Sequence, residues 1–145
     1  MNFTRRELGL LAPALAAAQE KQAPKPKPML ASNVYRFEDL PVKPSGENKG
    51  RAVFDGKTHT GYPIELHITE LGPGLAPHAP HHHVHEEIVM VRSGQLDVTI
   101  QGVTTRATAG SVVYVNSNEE HGWKNPGPDR AQYFVIAVGP KTAAP

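Results

Sequence analysis

The sequence predicts an all-β domain of the sandwich or barrel type. Three observations carry this. Between Ala31 and Gly139 no segment sustains a helical period, while at least eight short segments of strand character follow one another closely. Thirteen glycines and 14 prolines are available to turn the chain between them. A chain of 145 residues, 39% hydrophobic and 20% charged, is one globular domain's worth of sequence and needs no staples to bury a core.

The expected elements run as follows. Val34 to Phe37 is a first edge strand, and Asp39 to Lys49, with Pro41, Pro44 and Gly46, is loop. Arg51 to Asp55 is a second short strand, closed by Asp55-Gly56. Ile64 to Leu71 alternates clearly, with Ile64, Leu66 and Ile68 on one face and Glu65, His67 and Thr69 on the other. His85 to Arg92 and Gln95 to Gln101 flank Ser93-Gly94, the spacing of a hairpin. Val103 to Ala107 and Ser111 to Val115 follow, separated by Ala109-Gly110. Glu120 to Lys124 is a further candidate, Ala131 to Val138 is a long apolar strand, and the chain from Pro140 onward reads as a tail. No internal repeat points to two domains.

The first residues read as an address. Arg5-Arg6 precedes an alanine-rich apolar stretch from Leu8 to Ala18, and small residues at Ala14, Ala16, Ala17 and Ala18 suit a cleavage site. Thr4-Arg5-Arg6-Glu7-Leu8 also resembles a twin-arginine export signal, so both export routes stay open. Residues 1–18 are therefore expected to be a signal peptide, and the protein to be periplasmic or extracellular. Residues 19–33, with Pro24-Lys25-Pro26-Lys27-Pro28, are expected to be an extended, solvated linker. The domain proper is expected over residues 34–140.

Composition removes several function classes. With no cysteine, disulfides, thiolate chemistry and cysteine-type zinc sites are excluded. A formal charge of +1 shows no footprint for nucleic acid. No apolar run approaches the ~20 residues that span a bilayer, so no membrane partner is expected once the signal is cleaved. What stands out is eight histidines, five of them between His78 and His85.

Side chains two apart on a strand share a face. His81, His83, His85 and Glu87 have the parity of Val89 and Val91, so if those valines face the core, imidazoles and a carboxylate line the same interior. Such a set suits one divalent ion of Fe, Mn, Zn, Ni or Co, and an ion would relieve the cost of burying so many polar groups. His121, beyond the apolar Val112 to Val115 and a turn, is a candidate ligand from far along the chain. His82 has the opposite parity and is expected outward, with Glu86. His59, His67 and His78 are expected to be solvated.

The spacing of these residues resembles that of the cupin family. The first cupin motif matches Gly74, His81-His82-His83, Glu87 and Gly94; the second matches Gly110, His121 and Asn125, with Asn116 and Asn118 in place of the motif's Pro and Gly. The similarity covers roughly Glu65 to Val138. It implies a single jelly-roll β-barrel with His81, His83, Glu87 and His121 as metal ligands; the set of His83, His85 and Glu87 is the rival reading of the residues. It further implies a small-molecule substrate and a metal-dependent enzyme, a dioxygenase ahead of an isomerase or decarboxylase. The alternatives are a non-catalytic exported binding module for a metal or a metal-bound small ligand, and a catalytically dead barrel used for protein contacts. A homodimer is expected from the same resemblance, through edge strands between Val34 and Asp55. Trp123 either walls the pocket or belongs to the core, and Arg92, Gln95 and Tyr114 are weaker candidates for substrate contact.

Overall fold

A computed structural model of the chain describes residues 26–141. The expected signal peptide and the first part of the expected linker lie outside the described residues. A short 3-10 turn, Phe37–Asp39, precedes nine strands: β1 Lys43–Ser45, β2 Asn48–Lys57, β3 Pro63–Leu71, β4 Glu86–Ser93, β5 Gln95–Ile100, β6 Val103–Thr108, β7 Val112–Val115, β8 His121–Lys124 and β9 Ala131–Val138. All named pairings are antiparallel. They form a six-stranded sheet in the order β1-β2-β3-β9-β4-β7 and a three-stranded sheet in the order β6-β5-β8.

Alternation explains how the two sheets meet. In β9, Ala131, Tyr133, Val135 and Ala137 are buried, and the residues between them are half-buried. Val135 pairs with Val89 of β4, so both point inward. With Leu71 and Val91 they pack against Leu96, Val98, Ala107 and Trp123 of the smaller sheet. Each such aliphatic side chain removed from water contributes about 1.5–3 kcal/mol. Trp123 is core: its indole N–H donates to the Tyr133 hydroxyl at 2.7 Å. That buried phenol is held well above its ordinary pKa, chiefly by burial.

Several expectations are corrected. Val34 to Phe37 forms no strand; its aromatic residues instead lie over the outer face of the large sheet, where Tyr35 meets Phe54 and Phe37 sits under Arg51 and Arg92. The segment from Asp39 to Lys49 holds β1 and the start of β2, because an edge strand tolerates Pro44 and Gly46 supplies the positive φ of the turn. Ser93-Gly94 makes no hairpin: β4 and β5 belong to different sheets. After a bulge between Val91 and Ser93, Gly94 (φ 74°) carries the chain over the sheet edge, and a Cβ there would lie 2.7 Å from the Arg130 carbonyl. The two-residue hairpin is the next one, β5 to β6, where Gln101 and Gly102 both have positive φ.

β3 also turns the other way. Glu65, His67 and Thr69 pair with Ala137, Val135 and Tyr133, which places this polar face on the interior side. Ile64, Leu66 and Ile68 lie on the outer face, and Ile68 is buried there. His67 is thus half-buried beside Glu65 rather than freely solvated. Near the first described residue, Pro28 and Leu30 exchange backbone hydrogen bonds with Lys57, so this stretch is docked, not solvated. Lys141, in the expected tail, pairs with Glu65 and Asp55.

Candidate metal centre

The histidine segment is not part of β4, which begins at Glu86. It is shaped by backbone ties. His81 and His121 exchange both of their backbone hydrogen bonds, at 3.0 and 2.9 Å, which sets their rings 4.8 Å apart. Gly122 makes this possible, because a Cβ there would press on Pro80 at 3.2 Å. The His83 carbonyl accepts from the amide of Asn118, whose φ of 62° closes the turn before β8. Asn thus does what the family's Gly would do at that position. Gly74 and Asn125, which bound the two matched motifs, are themselves joined by a backbone hydrogen bond of 2.9 Å.

These ties bring the four expected residues together with His85. Glu87, on β4 between Val115 and Ala137, is buried. Its Oε1 lies 3.3 Å from His83 Nε2 and 3.6 Å from His85 Nε2, and its Oε2 lies 3.4 Å from His121 Nε2. Two donor sets have ligand atoms all within 4.8 Å of one another: His81, His83 and His121, and His83, His85 and Glu87. They share His83; the first lacks Glu87, which falls instead with His83 and His85, the rival set of the sequence reading. The residues that share parity lie close together although the chain bends at Val84 and His85.

Two tautomers follow from the carbonyls nearby. His83 Nδ1 lies 2.7 Å from the His85 carbonyl, and His121 Nδ1 lies 2.8 Å from the Glu119 carbonyl. A carbonyl only accepts, so each Nδ1 carries the proton and each Nε2 presents a lone pair to the cluster. Burial, with His78, His121 and His83 close by, holds His81 below the ordinary imidazole pKa; burial and the neighbouring His83 do the same for His85. Neutral imidazoles are the form that ligates.

The decisive observation is what these donors lack. His81 Nδ1, His83 Nε2, His85 Nδ1, Glu87 Oε2 and His121 Nε2 are buried without a hydrogen-bond partner. An orphaned buried polar atom costs about 1–3 kcal/mol, and their clustering on the residues of two overlapping donor sets fits a bound cation. The donor set is therefore one that a divalent metal fits.

A protein-family model described as the cupin domain matches residues 67–137. The chain belongs to the cupin superfamily. Solved structures agree on the fold. A RmlC-like cupin from Shewanella frigidimarina is 20% identical, with a TM-score of 0.62, and the match covers 76% of this chain and 94% of that one. A predicted oxalate decarboxylase from Thermotoga maritima is 17% identical, with a TM-score of 0.64 over 74% of this chain and 100% of that one. The polyketide cyclase RemF from Streptomyces resistomycificus is 20% identical, with a TM-score of 0.61 over 75% and 80%. No protein of curated function matches the chain.

Within this cupin, the other candidates sort clearly. His59, His78 and His82 are exposed. Arg92 is engaged by Gln132, Gln95 by Arg106, and Tyr114 lies on the outer face, so none of the three points to the cluster through those contacts. Trp123 belongs to the core, one of its two expected roles, and its ring stacks on that of His121 at 5.8 Å. The carbonyls of His85 and Glu119, which orient two of the imidazoles, are backbone groups and carry no signal in the sequence.

Proposed function

We propose that this protein is an exported metal-dependent enzyme acting on a small organic molecule, with His81, His83, Glu87 and His121 as the protein ligands of one divalent ion. The observation that carries this reading is the set of five buried, unpartnered polar atoms on the side chains of these residues and of His85. Such an ion, when bound, supplies Lewis-acid polarisation of a substrate oxygen and, if redox-active, one-electron chemistry. The chain's own residues do the rest. The Glu119 and His85 carbonyls hold two imidazoles in the ligating tautomer. Glu87 balances charge, and Trp123 closes one wall against water.

Among reaction classes we favour dioxygenation over isomerisation or decarboxylation. The fold is shared with proteins described as a predicted oxalate decarboxylase, a polyketide cyclase and a sugar phosphate isomerase, so it accommodates all of these. Export rests on the Arg5-Arg6 and alanine-rich segment.

The test is elemental analysis of the purified protein, followed by a thermal-shift screen of small organic acids, enols and catechols with the metal-loaded form. Turnover of a hit by wild type and not by His121→Ala supports the enzyme. A hit bound tightly and never converted turns the reading into a binding module. Full metal content in both His81→Ala and His121→Ala would refute the ligand assignment.

A further inference from the structure

The edge strands β6 and β7 follow one another in the chain, yet they belong to different sheets and do not pair, so the sandwich stays open along that side. A cavity of about 430 Å³ lies in the opening, within the range of roughly 300–1,000 Å³ typical of small-ligand sites. Register shows which side chains face it. Directly opposed residues of an antiparallel pair share a face. The buried Leu96 and Val98 of β5 therefore turn Ala107 and Thr105 of β6 inward with them, and Ile100 turns Val103 inward. On the other sheet Val113 pairs with the buried Val89 and also faces in. Val103 is nevertheless 69% exposed. It is an inner-facing valine that the unclosed sandwich leaves in water.

The same rows lead to the metal centre. Ile100 stands between Val103 and His121 in one row of the smaller sheet. Val113 is one inner position from Val115, which pairs with Glu87. At the usual strand spacing Val103 lies roughly 10 Å across the sheet from His121. The walls between are aliphatic, and the Thr105 hydroxyl is the one polar group among these inward side chains. Polar groups at the rim are engaged elsewhere: Arg106 donates to Asp97 and Gln95, and the Ser111 hydroxyl accepts from the Thr108 amide. A carboxylate or phosphate placed in this cleft would lose water without gaining a partner.

We propose, resting on the metal-dependent reading above, that the substrate is a small molecule with oxygen donors at one end and an uncharged hydrophobic tail at the other. The oxygens meet the ion beside Glu87 and His121, and the tail lies in the β5–β6–β7 cleft. Dicarboxylates and phosphate esters long enough to enter the cleft are disfavoured by the same walls.

The test is calorimetric titration of the full chain, loaded with zinc, with acetohydroxamate, hexanohydroxamate and the hexanohydroxamate that carries a carboxylate at its far end. Hexanohydroxamate is expected to bind at least about tenfold tighter than acetohydroxamate, and the carboxylate form no tighter than acetohydroxamate. Val103→Asp, at an exposed position, is expected to erase the advantage of the tail while zinc content and acetohydroxamate affinity stay within about twofold of wild type. Thr105→Phe, which fills the cleft without adding charge, is expected to do the same, with circular dichroism reporting the fold. Equal affinity of wild type for acetohydroxamate and hexanohydroxamate overturns the proposal, including the case where residues 1–25 occupy the cleft. So does an advantage that persists in both variants, or one that the carboxylate form keeps. A chain that takes up no divalent metal fails the metal reading instead. The cleft is then probed with 1-hexanol by methyl NMR: shifts at Val98, Ile100 and Val113 that Thr105→Phe removes support it, and their absence overturns it.

Discussion

Asn125→Ala should be among the most destabilising single changes outside the histidine cluster. Asn125 is wholly buried. Its amide nitrogen donates to the Asp129 carbonyl at 2.7 Å and the Gly72 carbonyl at 3.1 Å, and its Oδ1 accepts from the Gly127 amide at 3.0 Å. Three hydrogen bonds at about 1 kcal/mol each, with part of the cost of a buried unpaired N–H added, give a loss of roughly 3–5 kcal/mol. Asn125→Asp keeps the acceptor for Gly127 but turns a carboxylate oxygen toward carbonyl oxygens, so it should be no better than alanine. Urea denaturation of the metal-free forms at constant m-value measures both. A loss below about 1 kcal/mol in Asn125→Ala, or wild-type stability in Asn125→Asp, would refute the view that this side chain ties the end of β8 to the turn after β3.

Three further outcomes are expected. Saturating divalent metal, at about 100 times its dissociation constant, should add about 2.7 kcal/mol to wild type and to the exposed control His82→Ala; thermal melts with and without chelator should show no gain in His121→Ala or Glu87→Ala. Glu65 is held down at about 2, mainly by its hydrogen bond with His67 and also by Lys141, against an ordinary 4.5. Its contribution is therefore present above pH 4.5 and lost as pH falls toward 2, and Glu65→Gln should flatten stability against pH in that window, by less than full linkage because the group is partly exposed. Gly56→Ala would set a Cβ 2.7 Å from Leu30 Cδ2 and the Pro28 carbonyl; hydrogen exchange at the Leu30 and Lys57 amides should then accelerate while the core strands stay protected.

Most strands from β4 onward were legible because a run of strand-forming residues ends at or near a glycine or proline. Two things were not. Alternation in β3 showed two faces but not which one the fold would cover: the apolar face went outward under Tyr35 and Phe37, a tertiary choice that local pattern does not encode. Ser93-Gly94 has hairpin spacing, yet Gly94 crosses between sheets, because the bulge before it and the close Arg130 carbonyl decide the direction. The candidate site was more legible than the fold around it. Ligand-type residues are few and their spacing is specific, so His81, His83, Glu87 and His121 could be grouped even though the bend at Val84 and His85 was unseen. His85 lies at the same place, 3.6 Å from Glu87, and the sequence had left it open for that reason.

The cluster draws on both halves of the sandwich. Glu87 stands on the six-stranded sheet, His121 on the three-stranded one, and His81 and His83 on the strip of chain between them. A cation gripped by all of them would work as a rivet through two plates that otherwise cling by hydrophobic contact. Demetallation should then be felt far from the cluster, as faster breathing of β5, β6 and β8 against the rest, and the protein's working lifetime would track how much of that ion its surroundings provide.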